Sequence, residues 1–393
     1  MILVNLAEIA WSGEKRRNAA MFEVLVKRRA LFDGGVYIDP PQVLPAGASI
    51  SARIAAARQA SHPTPLFEDA VLFRPCFAVP FAKRPPIRRA SARILAGTVL
   101  RHLADRPFCL LLNNIEWPAF ELFEALAPRA AYTVIDVSDD WTTFTDREPE
   151  QRDARLASAI DRADAMIAVN AAIAAKFRHR NPLVFGNGTD VANFQLRNPD
   201  FVLGDALPKR DGRKIIGFVG GLNTGRVDEP LLDALFARFP EALFLFVGYS
   251  NDAALVGRLR ARPNVRFFEA VSYAELPFVI SAFDVGIVPH LDNAHTRGND
   301  LLKVMDYLAT GVPVVSTDCS NVRDTAGTAV AVASNHAEFL DLVAAALAKT
   351  EHDPAPGRSI AATRDWKTHV AALESWLAPS LRAKSARPAQ ASP

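Results

Sequence analysis

Two series of short apolar runs, each alternating with longer amphipathic stretches, constrain this chain more than any other feature. Short apolar runs read as buried strands and the stretches between them as helices. The alternation marks strand–helix units around parallel sheets, because parallel neighbours need a crossover long enough to hold a helix. In the first half, strands are expected at Ile2–Leu6, Gly35–Ile38, Val71–Phe73, Phe108–Leu112, Tyr132–Asp136, Ala165–Val169 and Leu183–Phe185. Apolar density then falls over Asn198–Arg213, where Pro199, Gly204, Pro208 and Gly212 gather as in a linker. A second series follows at Ile215–Val219, Leu243–Val247, Val265–Phe268, Val285–Val288 and Val312–Ser316. The expected fold is α/β, with two doubly wound Rossmann-like domains facing a cleft and ligands at the carboxyl ends of the strands.

Length agrees, since 393 residues exceed what one hydrophobic core normally supports. The reading places an N-terminal domain at 1–200, a linker at 201–213 and a C-terminal domain at 214–364. A helix at 365–379 is expected to pack back on the N-terminal domain, before a disordered tail at 380–393. Lys plus Arg numbers 45 against 43 for Asp plus Glu, a balance that argues against a nucleic-acid-coating protein. Cys76, Cys109 and Cys319 are far apart, with neither disulfide nor zinc spacing. The N-terminus lacks the pattern of a secretory signal, and no window reaches the roughly 20 apolar residues of a membrane span. A cytoplasmic location is expected, on or near the inner face of the membrane.

The most informative stretch runs from Thr296 to Val315. Asn299 or Asp300 reads as the N-cap of a helix that Gly311 stops. Leu301, Val304, Met305 and Leu308 share one face, which should be buried. The helix follows a strand, so its free N–H groups should point into the cleft, where about half a positive charge suits a phosphate. Arg297 and Lys303 lie within a turn of that end. Without an anion, cations there oppose the helix dipole by a few tenths of a kcal/mol, about what a surface pair contributes. The alternative is an ion ladder of Asp300, Lys303 and Asp306 on a solvated face.

Leu301 through Val315 resembles the corresponding motif of the group 1 glycosyltransferases, particularly the branch that assembles exopolysaccharides and teichuronic-type polymers. Ile216–Leu222 with Asp228, Phe283–Pro289, and Phe185–Asp190 with Phe194 resemble further motifs of that family, in order. The resemblance covers about Val184–Leu347 and implies a GT-B fold and transfer from a nucleotide-sugar without a metal or other cofactor. It implies that Asp306 hydrogen-bonds the nucleotide ribose, with Asp in place of the more usual Glu. Lys303 and the N–H groups of Leu301 and Leu302 are implied as pyrophosphate contacts, and Gly220 and Gly221 as the turn beneath the donor. Retaining members carry a Glu eight residues before the ribose acid; here that position is Gly298, which favours inversion. The family's Arg after the glycine turn is absent unless Arg226 or Arg297 replaces it. His290, Tyr249, Ser250 and Glu269, also at strand ends, are secondary candidates, with a structural role favoured for His290.

An inverting transfer needs a base for the acceptor hydroxyl. Asp136, Asp139 and Asp140 follow a strand, and adjacent carboxylates raise one another's pKa. Asp140 or Asp139 is the expected base; a helix cap made by Ser138 or Asp139 is the competing reading. Glu8 stands in reserve, while Trp11 and the Glu116–Trp117 pair read either as sugar contacts or as packing. Between Asp69 and Asp105 every charged residue is basic: Arg74, Lys83, Arg84, Arg88, Arg89, Arg93 and Arg101. With Phe77 and Phe81 interleaved, the segment reads as a surface for anionic lipid or as a solvated loop. The expected partners are a nucleotide-diphosphate sugar and a glycan or lipid-linked acceptor, not nucleic acid. The competing functions are a nucleotide-sugar 2-epimerase and a non-catalytic nucleotide-binding subunit of the same fold.

Overall fold

A computed structural model describes residues 1–12, 16–143, 149–207, 212–269 and 271–385. The chain divides into two compact units, one of Met1–Phe185 with the residues from Val370 onward, the other of Gly186–His369. In the first, the strands are β1 (Ile2–Leu6), β2 (Gly34–Ile38), β3 (Gln42–Val43), β4 (Thr64–Phe67), β5 (Ala70–Phe73), β6 (Cys76–Phe77), β7 (Phe108–Leu112), β8 (Tyr132–Val137), β9 (Ala165–Ala168) and β10 (Leu183–Val184). In the second they are β11 (Ile215–Val219), β12 (Leu243–Val247), β13 (Val265–Phe268), β14 (Val285–Val288), β15 (Val314–Thr317) and β16 (Val330–Ala333).

The first unit holds an eight-stranded sheet in the order β10-β9-β8-β7-β1-β2-β5-β4, with β3 and β6 paired apart. Its pairs are parallel except β4 on β5. Val4 of β1 lies opposite Val36 of β2 and Leu110 of β7. Every residue of β1, β7 and β8 is buried, as expected of parallel strands covered on both faces. The second unit holds a six-stranded parallel sheet, β13-β12-β11-β14-β15-β16. Both sheets change winding direction at their first strand, β1 between β2 and β7, and β11 between β12 and β14. At such a switch point the loops leaving the two neighbouring strands diverge and open a crevice at the carboxyl ends.

The boundary lies earlier than composition suggests. Residues 186–200, expected in the first domain, stand in the second unit. Phe194 is fully buried there in a core with Leu301, Met305 and Leu308, and Thr189 Oγ1 donates to Asp306 at 2.7 Å. Ala206 and Leu207, expected in the linker, join that same core. Burial of three apolar side chains outweighs the local signal of prolines and glycines. The C-terminal helix runs Trp366–Ser385, beyond the expected end at 379. Leu377 and Leu381 are buried, and Lys384 donates to Asp164 at 2.5 Å, so residues 380–385 are ordered helix. Residues 386–393 of the expected tail lie outside the described residues.

Candidate functional site

In the second unit the site grows from the ends of β11 and β14. Gly220 follows β11 at φ 133°, a backbone conformation that glycine adopts without a Cβ penalty. A Cβ there would also stand 2.8 Å from Nζ of Lys303, so the small residue makes room for an ammonium. Lys303 sits in the first turn of the Leu302–Thr310 helix, with Nζ 4.0 Å from the Phe218 ring centroid and 3.2 Å from His290 Nε2. Burial, and then the neighbouring Arg226, push its pKa down to about 7. His290 is buried and its ring is held well below the usual histidine range, first by burial and then by Lys303, Arg226 and His295. With Nε2 accepting from Lys303, the proton of the neutral ring belongs on Nδ1, which has no hydrogen-bond partner among the described residues. Leaving such a donor unmet costs about 1–3 kcal/mol.

The helix start differs from the expected capping. Leu301 is the N-cap, with no side-chain hydrogen bond, rather than Asn299 or Asp300. The Asp300 carboxylate is drawn away by the Asn187 N–H and by Asn321 Nδ2 at 3.0 Å, and Asn187 Nδ2 donates to the Asp300 backbone carbonyl at 2.8 Å. The loop carrying Asn187 thus docks against the helix and removes the carboxylate that would otherwise neutralise its start. Gly311 does end the helix, at φ 90°, and Leu301, Val304, Met305 and Leu308 are buried as their periodicity requires.

Asp306 is buried on the same helix, its carboxylate accepting from Thr189. Burial raises its pKa to about 7; the Thr189 hydrogen bond lowers it and Asp190 raises it further. Asp300, Lys303 and Asp306 turn to Asn187, Phe218 and Thr189 respectively, so the surface ion ladder does not form. Tyr307, which the motif contains but sequence reasoning left unassigned, accepts from the Val219 N–H at 2.7 Å and fastens the helix to the end of β11. Gly286 of β14 provides its space, since a Cβ there would meet the Tyr307 ring at 2.8 Å.

Arg297, expected at the donor, lies near Lys303 in sequence. It is exposed and paired through both Nε and Nη2 with Asp292 at 2.8 Å. The two residues are five positions apart in sequence, so the cation has a local partner. Arg226 takes the position near Lys303 instead, 3.0 Å from His295 Nε2. Tyr249 lies exposed beside Gly221, Ser250 Oγ donates to the Leu222 carbonyl, and Glu269 is exposed. Phe218 and Thr189 lie within the motifs at Ile216–Leu222 and Phe185–Asp190 but carried no assigned role; packing brings them against Lys303 and Asp306.

At the switch point of the first unit, the carboxylates sort differently from the expectation. Asp136 is fully buried and accepts from Arg17 Nε at 2.8 Å, Arg17 Nη2 at 2.7 Å and Asn113 Nδ2 at 2.9 Å. Asp140 is buried in an ion pair with Lys176. Asp139 Oδ1 accepts the Asp140 N–H at 2.8 Å where the Trp141–Thr143 turn begins. Asp139 thus serves the turn, and Asp140 is held by a cation. Glu8, two residues beyond β1, is the carboxyl whose pKa rises, to about 7. Burial is the main cause and Asp139 and Asp136 add to it, while Ser138, which donates to Oε2 at 3.0 Å, and Arg17 oppose it. Trp11 belongs to an aromatic cluster, 5.0 Å from Tyr37. Trp117 packs 5.1 Å from Phe77, and Glu116 faces Arg152 at 3.6 Å. All three follow the packing reading.

In the basic segment, Arg88 pairs with Glu121 at 2.5 Å, while Lys83, Arg84, Arg89 and Arg93 are exposed. Exposed apolar side chains stand in the same region, Phe81 at 59% and Ile94 at 70%, with Ile50 at 78% on the adjoining Ile50–Ser61 helix. Among the described residues no helix is long and apolar enough to cross a membrane.

Residues 213–349 match the family Glycosyl transferases group 1, which covers β11 to the end of the His336–Ala348 helix. A Bacillus subtilis (strain 168) protein named for a teichuronic acid biosynthesis glycosyltransferase, TuaH, is 28% identical over 106 residues, and the match spans 26% of each chain. Among solved structures, sucrose-phosphate synthase from Thermosynechococcus elongatus is 15% identical with a TM-score of 0.60, over 98% of this chain and 97% of that one. HepE from Anabaena, in complex with UDP-glucose, is 14% identical with a TM-score of 0.63, over 97% and 99%. The trehalose 6-phosphate synthase of Burkholderia multivorans is 12% identical with a TM-score of 0.65, over 98% and 99%. The fold is GT-B, and the motifs at Ile216–Leu222, Phe283–Pro289 and Leu301–Val315 lie inside the stretch that matches the group 1 family, whereas Phe185–Asp190 and Phe194 lie before it.

Proposed function

We propose that the chain transfers a sugar from a nucleotide diphosphate donor to a glycan acceptor, with the donor in the second unit. The observation that carries this reading is the ammonium of Lys303 beside an uncapped helix start at the β11–β14 switch point. Transfer breaks the bond between the sugar C1 and the diphosphate oxygen, and the bonding pair leaves with the diphosphate. In this reading Lys303 and the N–H groups of Leu301 and Leu302 stabilise that charge. Each charge-assisted hydrogen bond contributes about 1.5–3 kcal/mol. No carboxylate side chain caps this helix start, and a bound diphosphate favours the charged form of Lys303.

Acceptor binding is assigned to the first unit, and the base to Glu8 rather than to Asp139 or Asp140. A carboxyl with a pKa near 7 is matched to taking a proton from a hydroxyl at neutral pH. The new bond forms from the acceptor oxygen to C1 with inversion, a reading supported by glycine at position 298. Asp306 is assigned to the ribose, and no metal or other cofactor takes part. The match to a protein named for teichuronic acid assembly favours a lipid-linked acceptor in surface polysaccharide synthesis. The exposed cations and apolar side chains between Ile50 and Ile94 favour a peripheral seat on an anionic membrane, about 1 kcal/mol per well-placed cation.

The test is incubation with UDP-, GDP-, ADP- and dTDP-sugars, with and without a polyprenyl-linked oligosaccharide, followed by NMR of the product anomer. Acceptor-dependent nucleotide release with inverted configuration is expected. Retention of configuration would remove Glu8 from the mechanism, acceptor-free epimerisation would make the chain an epimerase, and binding without turnover would leave a nucleotide-binding subunit.

A further inference from the structure

At the amino ends of the second unit's strands lies a cavity of about 300 Å³ that the donor site does not use. Its lining includes Arg197, Lys214, Lys349, Arg358 and His352, and Asp284 is the carboxylate among the described lining residues. That carboxylate is already engaged, since it accepts from Lys214 Nζ at 3.2 Å and from the Ile215 N–H at 2.8 Å. Two guanidinium groups converge on a single oxygen: both Arg197 and Arg358 donate through Nη2 to the carbonyl of Thr310, the Arg358 bond at 3.2 Å. A helix C-terminus accounts for one such cation, because its last carbonyls carry partial negative charge. It does not account for four cations around one spoken-for carboxylate. The Nε of Arg358 is buried with no hydrogen-bond partner among the described residues, which makes it a donor without an acceptor. Burial and the proximity of Arg358 also hold the pKa of Arg197 below the usual arginine range.

A tetrahedral oxyanion supplies the missing acceptors, and arginine forks match its geometry in pairs. We propose that this cavity is a second anion site, which binds the phosphate group of a small molecule such as inorganic phosphate, pyrophosphate or a sugar phosphate. Its volume is at the lower end of small-molecule sites and fits a ligand of that size. The site is separate from the donor corner. Lys303 lies in the first turn of the Leu302–Thr310 helix while Thr310 closes it, and the seven helical steps between them span about 10 Å.

The test is calorimetric titration of the full chain with inorganic phosphate, pyrophosphate and glucose 6-phosphate in turn, with UDP at saturation to occupy the donor corner. One equivalent of at least one probe is expected to bind, with affinity reduced tenfold or more in the Lys214→Ala/Lys349→Ala variant. Lys349→Glu alone, at an exposed position, provides the same comparison should the double variant fold poorly. Failure of all three probes to bind the UDP-saturated protein, or equal affinity in wild type and variants, overturns the site. If UDP itself does not bind, the donor assignment fails, and the same titrations without UDP still decide this one. The relative strength of the three probes separates a free ion from a phosphate carried on a sugar.

Discussion

The two units share a winding plan but place opposite chemistry at their switch points. At the end of β1 and β8 the first unit gathers carboxyl groups, Glu8, Asp136 and Asp140, and matches two of them with Arg17 and Lys176. At the end of β11 and β14 the second gathers Lys303, Arg226, His290 and His295, and the carboxylate just before the helix, Asp300, is held off by Asn187 and Asn321. In both places one group is left with its pKa near 7, an acid in the first and a base in the second. The lesson is that equivalent positions of a fold carry no chemistry of their own; the side chains that neutralise their neighbours decide which group remains reactive.

Glu8→Gln tests the first half of that contrast and should have the largest effect. General-base loss lowers kcat by about 10²–10⁴-fold, while nucleotide affinity measured by calorimetry should stay unchanged. The wild-type rate should also rise with pH through about 7, because Glu8 must be deprotonated to act, and the glutamine variant should lose that limb. A variant that keeps the wild-type rate and profile would return the search to Asp139 or Asp140.

Lys303→Ala tests the second half. Loss of one charge-assisted contact should weaken UDP binding by about 10–100-fold, from roughly 1.5–3 kcal/mol. The free lysine, with its pKa about 7, is mostly neutral at pH 8, and a bound diphosphate favours its charged form. Nucleotide binding at pH 8 should therefore take up close to one proton, read as an enthalpy that varies with the ionisation heat of the buffer. A buffer-independent enthalpy would place Lys303 outside the phosphate contacts.

Asp140→Ala sharpens the comparison from the side of stability. Removing the partner of Lys176, which is itself nearly half exposed, should cost about 1–2 kcal/mol after allowance for solvent screening, seen as a lower melting temperature. Most of the transfer activity should survive in the folded fraction. Loss of activity at full stability would make Asp140 the base after all.

The smallest effect concerns Asp306. Its pKa is raised by burial, so the folded chain holds the proton more tightly than the unfolded one. The stability this contributes is present below the ordinary carboxyl range and is lost as pH rises through about 7. Asp306→Asn keeps an acceptor for Thr189 and stays neutral, so it should melt a few degrees higher than wild type at pH 8.5, by less at pH 5, and within error of it at pH 3.

The parts of this molecule that were readable in advance are those governed by neighbours in sequence. The buried parallel strands announced themselves as apolar runs; β1, β7 and β11 to β14 stand where those runs are. Short edge strands such as β3 and β6, two residues each, carry too little pattern to register. Lys303 and Asp306 drew attention through their place in a motif, whereas the surroundings of Glu8 and Asp140 were not legible, because they depend on Ser138 and Lys176, which are distant along the chain.

The order of apolar runs and the helix-stopping Gly311 determined the α/β class and the position of the candidate phosphate corner, since backbone preference and burial periodicity act over a few residues. Whether a charged side chain at that corner or its counterpart is neutralised was decided only in three dimensions. Electrostatic energy depends on distance through space and on exclusion of water, and neither Asn187 beside Asp300 nor Arg17 beside Asp136 is close in sequence.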